Sequence, residues 1–283
     1  MVALACVLGA VAAQADFTLP YQTLQSLRVE LHSLRDEVTL YLGTPQQLLE
    51  VRTQPENVYP YIIIGVGMNP TLRIRDLALL ENPPAPDSLD AGDFLPAEPR
   101  VAPPRAEKWE LMFSPPAPTE FLLRCEGGRG AFDFTDMPVK ELQLIGVDAE
   151  LRVEFRRVNR VPLERCRLVA DGGSLELRQL LNARAKVVTV QAPRATCKLE
   201  LTGKPFDGTM EMYFEGASAE VELTVSREIG LHVEGPIPLV ARFDADHMQR
   251  QDMGLVSRDY DEARCKLRLH FTEGAKSLEV IWD

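Results

Sequence analysis

A chain of 283 residues is long enough for a full hydrophobic core, and 45% apolar content is that of a folded protein. The formal net charge of −11 argues against nucleic acid, whose phosphates need clustered Lys and Arg, and an anionic membrane surface would repel it.

Met1 to Ala15 carry no charge and are almost all small or apolar. They end in Ala13-Gln14-Ala15, a small-x-small triplet of the kind signal peptidase accepts, and Asp16 follows. This predicts a signal peptide over 1–15 and an exported protein of the periplasm, cell envelope or cell surface. The basic n-region is missing, since the first basic residue is Arg28, which places the start codon upstream. Two alternatives stand beside this reading: an apolar core segment, and a lipoprotein anchor at Cys6 after Ala3-Leu4-Ala5. No later stretch approaches the roughly 20 apolar residues that span a bilayer.

Residues 16–80 read as an N-terminal β section. Glu37 to Leu42 alternates, Gly43-Thr44-Pro45 turns, and Leu48 to Arg52 resumes as an opening coil; Tyr61 to Gly65 and Thr71 to Leu77 add two strands. Residues 81–106 hold seven prolines among Ala, Glu and Asp, which predicts an extended loop or linker. Trp109 to Phe113 regains strand character at once, so 107–283 is expected to be a repeat β domain forming one continuous fold with 16–80.

From Phe121 onward one theme recurs: an alternating strand, a corner of Gly or Ala, and a second alternating strand. The corners are Gly127-Gly128-Arg129-Gly130, Gly146, Gly172-Gly173, Ala192-Pro193-Arg194-Ala195 and Gly216-Ala217, and a last copy turns at Glu273-Gly274-Ala275 before Leu278, Val280 and Trp282. Their spacing of about 18 to 26 residues is typical of solenoid arrays. Alternation gives each strand one buried and one wet face, and stacking supplies the core a single unit lacks. The fold class is therefore all-β: a solenoid-like stack of two-strand repeats with Gly/Ala corners. Whether each pair is a hairpin or two sides of a coil stays open. Between Leu231 and Tyr260 the pattern weakens, predicting a strand or two and a long polar loop. The N-terminal strands and Leu278 to Trp282 are placed at the ends of the stack, as caps or as edges for self-association.

Chemistry is sparse. Gly127-Gly128-Arg129-Gly130 lacks the Lys-Ser/Thr ending of a phosphate loop, and no Gly-x-Ser-x-Gly elbow occurs. Cys125, Cys166, Cys197 and Cys265 form no CxxC or Cys/His pair, so zinc is disfavoured; they are either disulfide partners or small buried hydrophobes. His32, His232, His247 and His270 are isolated in sequence. One polar cluster breaches the repeat: Asp244-Ala245-Asp246-His247, then Asp252 and Asp259-Tyr260-Asp261-Glu262. Asp244, Asp246 and His247 are the weak candidate metal ligands, since oxygen on alternate positions suits calcium, but the spacing matches no calcium loop. No catalytic residue and no cofactor is expected.

The order of these parts is an opening strand pair, a Pro-rich interruption, Trp109-Glu110-Leu111 followed by Pro115 and Pro118, the Gly127-to-Phe134 corner and a ladder of strand–Gly–strand units. Over Leu27 to Val233 it resembles the bacterial toast-rack family, a domain of unknown function related to cell-wall-active antibiotic response proteins and to adhesin-like proteins. The resemblance implies an all-β exported or membrane-associated module without established catalysis; some relatives serve envelope-stress signalling through a transmembrane segment, which this sequence lacks. Its matching positions are structural, so it transfers no functional residues.

The resulting expectation is an exported, non-catalytic structural or interaction protein of the cell envelope, whose partner is an envelope protein or a glycan. Its alternatives are an accessory regulator of an envelope-stress sensor and a carbohydrate-active enzyme on the solenoid scaffold, with acids between Asp244 and Asp261.

Overall fold

The computed structural model describes residues 17–20, 24–55, 60–65, 68–76, 107–236, 240–251 and 254–283. The expected signal over 1–15, with Cys6, and the Pro-rich stretch 81–106 lie outside them. The described chain is strand and turn, apart from one 3-10 turn at Leu180–Ala183. In chain order the strands are β1 (Phe17–Pro20), β2 (Leu27–Leu34), β3 (Glu37–Leu42), β4 (Gln47–Gln54), β5 (Tyr61–Ile64), β6 (Thr71–Arg75) and β7 (Lys108–Phe113). Then come β8 (Thr119–Glu126), β9 (Arg129–Asp133), β10 (Val139–Glu154), β11 (Arg165–Arg178), β12 (Val187–Gln191), β13 (Thr196–Leu201), β14 (Gly208–Glu215) and β15 (Glu220–Val225). The last are β16 (Ile229–Glu234), β17 (Val240–Arg242), β18 (Met248–Gln251), β19 (Gly254–Ser257), β20 (Cys265–Phe271) and β21 (Ser277–Trp282). No described helix is long and apolar enough to cross a membrane.

The register decides between hairpins and coils. Successive units pair parallel: β10 runs beside β11 with Leu142 next to Cys166 and Val153 next to Leu177, and β11 runs beside β12 and then β13. Parallel neighbours exclude hairpins within the repeat, so each unit is one coil of a solenoid. The coils bend into two faces. Face A orders as β5-β6-β2-β8-β10-β11-β12-β14-β20-β16-β19-β18. Face B orders as β1-β4-β7-β3-β9-β10-β11-β13-β15-β21-β17. The long strands β10 and β11 contribute their first halves to A and their second halves to B.

Alternating residues fill the space between the faces. Leu123, Leu144, Leu168, Val190, Met212 and Leu269 come from face A, and Phe132, Val153, Leu177, Leu199 and Leu223 from face B, all buried in one cluster. A column of rings lines the core there: Phe121 and Phe134 of one coil have centroids 4.9 Å apart, and Phe134 stacks at 5.5 Å on Phe155 of the next. Burying one such side chain contributes about 1.5–3 kcal/mol, whereas an exposed ion pair on the outer faces contributes about 0.2–1 kcal/mol. The inward alternation, not the many Arg–Glu pairs outside, holds the stack.

Corners require a left-handed residue at the same level in successive coils. Arg35 (φ 56°), Gly127 (φ 70°), Asp148 (φ 49°) and Gly172 (φ 83°) occupy it. The Arg35 N–H donates to the Glu126 carbonyl at 2.6 Å and the Gly127 N–H to the Val147 carbonyl at 2.7 Å, so the bends themselves are hydrogen-bonded between coils. One expected corner is corrected: Gly146 lies inside β10, and the chain turns at Asp148 instead. Asp is among the residues that tolerate this conformation, while Gly146 is small because the Leu151 side chain occupies the place of its Cβ.

The opposite corner is closed by buried amides. Asn159 donates from Nδ2 to the Val139 carbonyl at 2.7 Å and accepts the Val139 N–H; Asn182 donates to the Phe155 carbonyl at 2.7 Å and accepts the Lys204 N–H. These contacts satisfy loop backbone groups that would otherwise be buried without partners.

Two coils sit out of chain order. The coil β2–β3 lies between β6–β7 and β8–β9, and the coil β20–β21 lies between β14–β15 and β16–β17. The expectation that Leu278 to Trp282 ends the stack is therefore wrong, because β21 has a neighbour on each side. Among the described residues, antiparallel strands extend three of the four sheet ends instead, β5 beyond β6, β4 and β1 beyond β7, and β19 and β18 beyond β16, while face B stops at the parallel strand β17. Residues 231–260 supply four strands where one or two and a loop were expected, because β18 and β19 are too short to show periodicity.

Gly173 has φ 74°, and a Cβ there would meet the Ala149 carbonyl oxygen at 2.1 Å. Gly173→Ala should lower stability by about 2–4 kcal/mol, read as a fall in the urea midpoint. Arg35→Gly, which relieves the same backbone conformation, should stay within about 1 kcal/mol of wild type.

Candidate functional site

The outward face of A is mostly Arg–Glu ladders, but at the C-terminal end its pattern changes. The side chains there are Glu211 and Tyr213 from β14, Arg268 and His270 from β20, and His232 and Glu234 from β16. Strand register places Tyr213 and Glu234 on either side of His270, and Glu211 and His232 on either side of Arg268. The inserted strand β20 thus brings together residues that are far apart in the chain.

His270 lies between two carboxylates. Its Nε2 is 2.7 Å from Glu211 Oε2 and its Nδ1 is 3.1 Å from Glu234 Oε2. The other oxygen of Glu234 is 3.0 Å from Nδ1 of His232. A carboxylate only accepts, so both His270 contacts are hydrogen bonds only when both ring nitrogens carry protons. The rings are ordered as well: Tyr213 stacks on His270 with centroids 4.9 Å apart, and His232 meets the edge of Tyr260 at 5.5 Å. Arg268 donates from Nε to the Tyr260 hydroxyl at 3.0 Å and reaches Glu211 at 3.6 Å, while the Lys266 ammonium sits 5.1 Å over the Tyr260 ring. The patch therefore offers acceptors, donors and aromatic surface together, on a flat face open to water.

The sequence-level candidates divide. Asp244 and His247 meet, with Oδ2 to Nδ1 at 2.8 Å, and the other Asp244 oxygen accepts the Asp246 N–H at 2.9 Å. Those two contacts, the backbone one first, hold the Asp244 carboxyl below its usual range. The His247 ring stacks on Trp282 at 5.7 Å. Both oxygens of Asp244 thus serve the turn itself, and among the described residues no group of three or more His, Cys, Asp or Glu is arranged to hold a metal ion. Asp252 lies outside the described residues. Of the acidic turn after β19, Tyr260 joins the histidine patch and Asp259 closes the turn through its carbonyl. Sequence reasoning set His232 and His270 apart as isolated; the only hint was that both fall on the outward phase of strands.

Face B carries a shallow depression of about 250 Å³ above Gly130 and Ala131, walled by Glu37, Arg129, Glu150, Arg152, Ser174 and Glu176. Its walls are paired with each other, Arg129 with Glu150 at 2.8 Å and Arg152 with Glu176 at 3.9 Å, and no aromatic ring lines it.

The four described cysteines are free and buried. Burial pushes the thiols of Cys166 and Cys197 up to about 12 and that of Cys125 to about 11, and that of Cys265 rises for the same reason. They are inward core residues, without the thiolate that nucleophilic chemistry needs.

The chain matches no protein-family model and no curated protein in sequence. Among solved structures it is similar to a candidate cell adhesion protein from Clostridium sporogenes, at 11% identity and a TM-score of 0.39, covering 95% of this chain and 98% of that one. A likeness at that level leaves the functional reading to the residues themselves.

A thiol near 12 is ionised to about one part in ten thousand at pH 8. Alkylation of the native protein at pH 8 should leave Cys125, Cys166, Cys197 and Cys265 unmodified, and unfolding in urea should expose all four, as read peptide by peptide by mass spectrometry.

Proposed function

We propose that this chain is an exported, non-catalytic, adhesin-like interaction module of the cell envelope, and that it binds a hydroxyl-rich glycan through the Glu211–Tyr213–His232–Glu234–Arg268–His270 patch. The observation that carries the reading is the convergence of acceptors, donors and aromatic rings on one flat, water-facing end of face A. A sugar presents hydroxyls of both hydrogen-bonding roles and apolar C–H faces, which such a surface matches. Large exposed apolar side chains are few there, Tyr213 and, beside Glu211 on β12, Val187, and this favours a polar ligand over a greasy protein surface.

Two features support binding over turnover. The carboxylates of Glu211 and Glu234 are each engaged by imidazoles, and the face is open, whereas acid–base cleavage of a glycoside uses two acids held across a cleft from which bulk water is excluded. Export rests on the apolar, uncharged run Met1 to Ala15 and its Ala-Gln-Ala ending. The toast-rack resemblance agrees with an envelope role and rests on pattern alone.

The test is binding of the purified chain to immobilised cell-wall polysaccharides, with the glycan weighed and sized before and after. Wild type should bind and leave glycan length unchanged. Tyr213→Ala or Arg268→Ala should weaken binding about tenfold, equivalent to about 1.4 kcal/mol. Shortened glycan would overturn the non-catalytic reading, and unchanged affinity in both variants would overturn the site.

A further inference from the structure

Histidine occurs four times in the chain, and three of the four lie at the seams of the two coils inserted out of chain order. On β2, His32 Nε2 is 2.9 Å from Glu126 of β8. On β20, His270 joins Glu211 of β14 to Glu234 of β16, and His232 of β16 meets the same Glu234. The seams between coils that follow in chain order carry no histidine; their pairs include Arg129–Glu150, Arg165–Glu141, Arg152–Glu176 and Lys198–Glu222, whose charges persist at any physiological pH, and the inserted seams add the histidines to permanent pairs of the same kind, Arg73–Glu30, Lys108–Glu37 and Lys276–Glu220.

We propose that histidine–carboxylate bridges fasten the two inserted coils and that these bridges are complete under acidic conditions and weakened at alkaline pH. The geometry is asymmetric between the seams. A neutral His270 ring donates from one nitrogen only, so deprotonation leaves either Glu211 or Glu234 without its hydrogen bond and loosens β20 from one neighbour. A neutral His32 can still donate from Nε2 and loses only its charge, so β2 responds less. The hydrogen bond from Arg124, opposed by burial and reinforced by His32, keeps the Glu126 carboxyl below its usual range and thus ionised to accept.

Each ring is faced from every side by named groups. Around His270 stand Glu211 and Tyr213 of β14, His232 and Glu234 of β16, and Arg268 of its own strand, with Tyr260 beyond Arg268. Around His32 stand Arg75 of β6, Arg124 and Glu126 of β8, and Glu30 of its own strand. Arg268 stays paired with Glu211 at both pH extremes, which keeps the seam closed on average and makes the effect a loosening.

This goes beyond glycan binding and does not require it, because the readout is backbone opening in the free protein. Hydrogen exchange by mass spectrometry, corrected for intrinsic rates, would follow peptides over β20 and β2 against β11 as internal reference at about pH 5.5 and about pH 8. Between the lower and the higher pH, β20 protection relative to β11 should fall about tenfold and β2 protection a few-fold, matching loss of a charged hydrogen bond and of a charge. In the His32→Gln/His270→Gln double variant the pH difference should vanish. Should that variant fail to fold, Glu234→Gln, which leaves His270 with the single carboxylate of Glu211 as His32 has Glu126, should cut the β20 difference from about tenfold to a few-fold. A wild-type ratio that does not change with pH, or one that changes equally in the variants, would overturn the proposal.

Discussion

Everything in this molecule depends on side chains in every second position meeting the same positions of the next coil. Parallel, in-register stacking is the arrangement that lets Leu144 lie beside Leu168, and Val153 beside Leu177, while outward residues keep their water. A slip of one residue would turn Glu and Arg inward along a whole coil. The corners enforce that register, because a left-handed residue at one level and buried Asn amides at the other hydrogen-bond across the gap between coils. The ion-pair ladders outside are consistent with the register but too weak, at a few tenths of a kcal/mol each, to set it.

The inserted coils change what stacking means for assembly. Coils in the central run pair with residues about two dozen positions away, as Glu141 does with Arg165, whereas Leu27 pairs with Thr119 and Gly208 with Cys265. Local pairings close first because their loops cost less entropy, so the central run is the natural nucleus and the inserted coils join a partly formed stack. The same arrangement addresses the open-edge problem of solenoids. Antiparallel β5, β4, β1, β19 and β18 extend three of the four described sheet ends, face B stops at the three-residue strand β17, and the chain's last strand is sheltered between two neighbours.

Much of this is legible in the sequence. Alternation located the strands from β8 to β15 and the last pair closely, and Gly127-Gly128 and Gly172-Gly173 marked true corners, because a Cβ at Gly128 or Gly173 would run into the backbone of the neighbouring coil. Gly146 misled because glycine serves two purposes, bending the chain and making room for a side chain such as Leu151, and sequence does not say which. Stack order was not legible, since period-two alternation tells a strand which face is buried and nothing about its neighbour. For the same reason the histidine patch was invisible: His232, Glu234, Glu211 and His270 converge only through the insertion of β20. The acidic run at Asp244 drew attention because its residues are adjacent in sequence, yet its carboxylate serves a local turn.

Both the proposed ligand-binding patch and the proposed pH-dependent fastening follow from where β20–β21 and β2–β3 sit, so that placement is the claim to test. Paired cysteines on outward residues read it directly, because the four described native cysteines are buried: Thr39 with Ala131 for the first inserted coil, Glu222 with Glu279 for the second, and Arg152 with Glu176 as a control in the central run. The account predicts that a short bis-maleimide joins all three pairs within single native molecules, seen as linked peptides by mass spectrometry. Efficient linking of the control pair with none at Thr39→Cys/Ala131→Cys and Glu222→Cys/Glu279→Cys would contradict it.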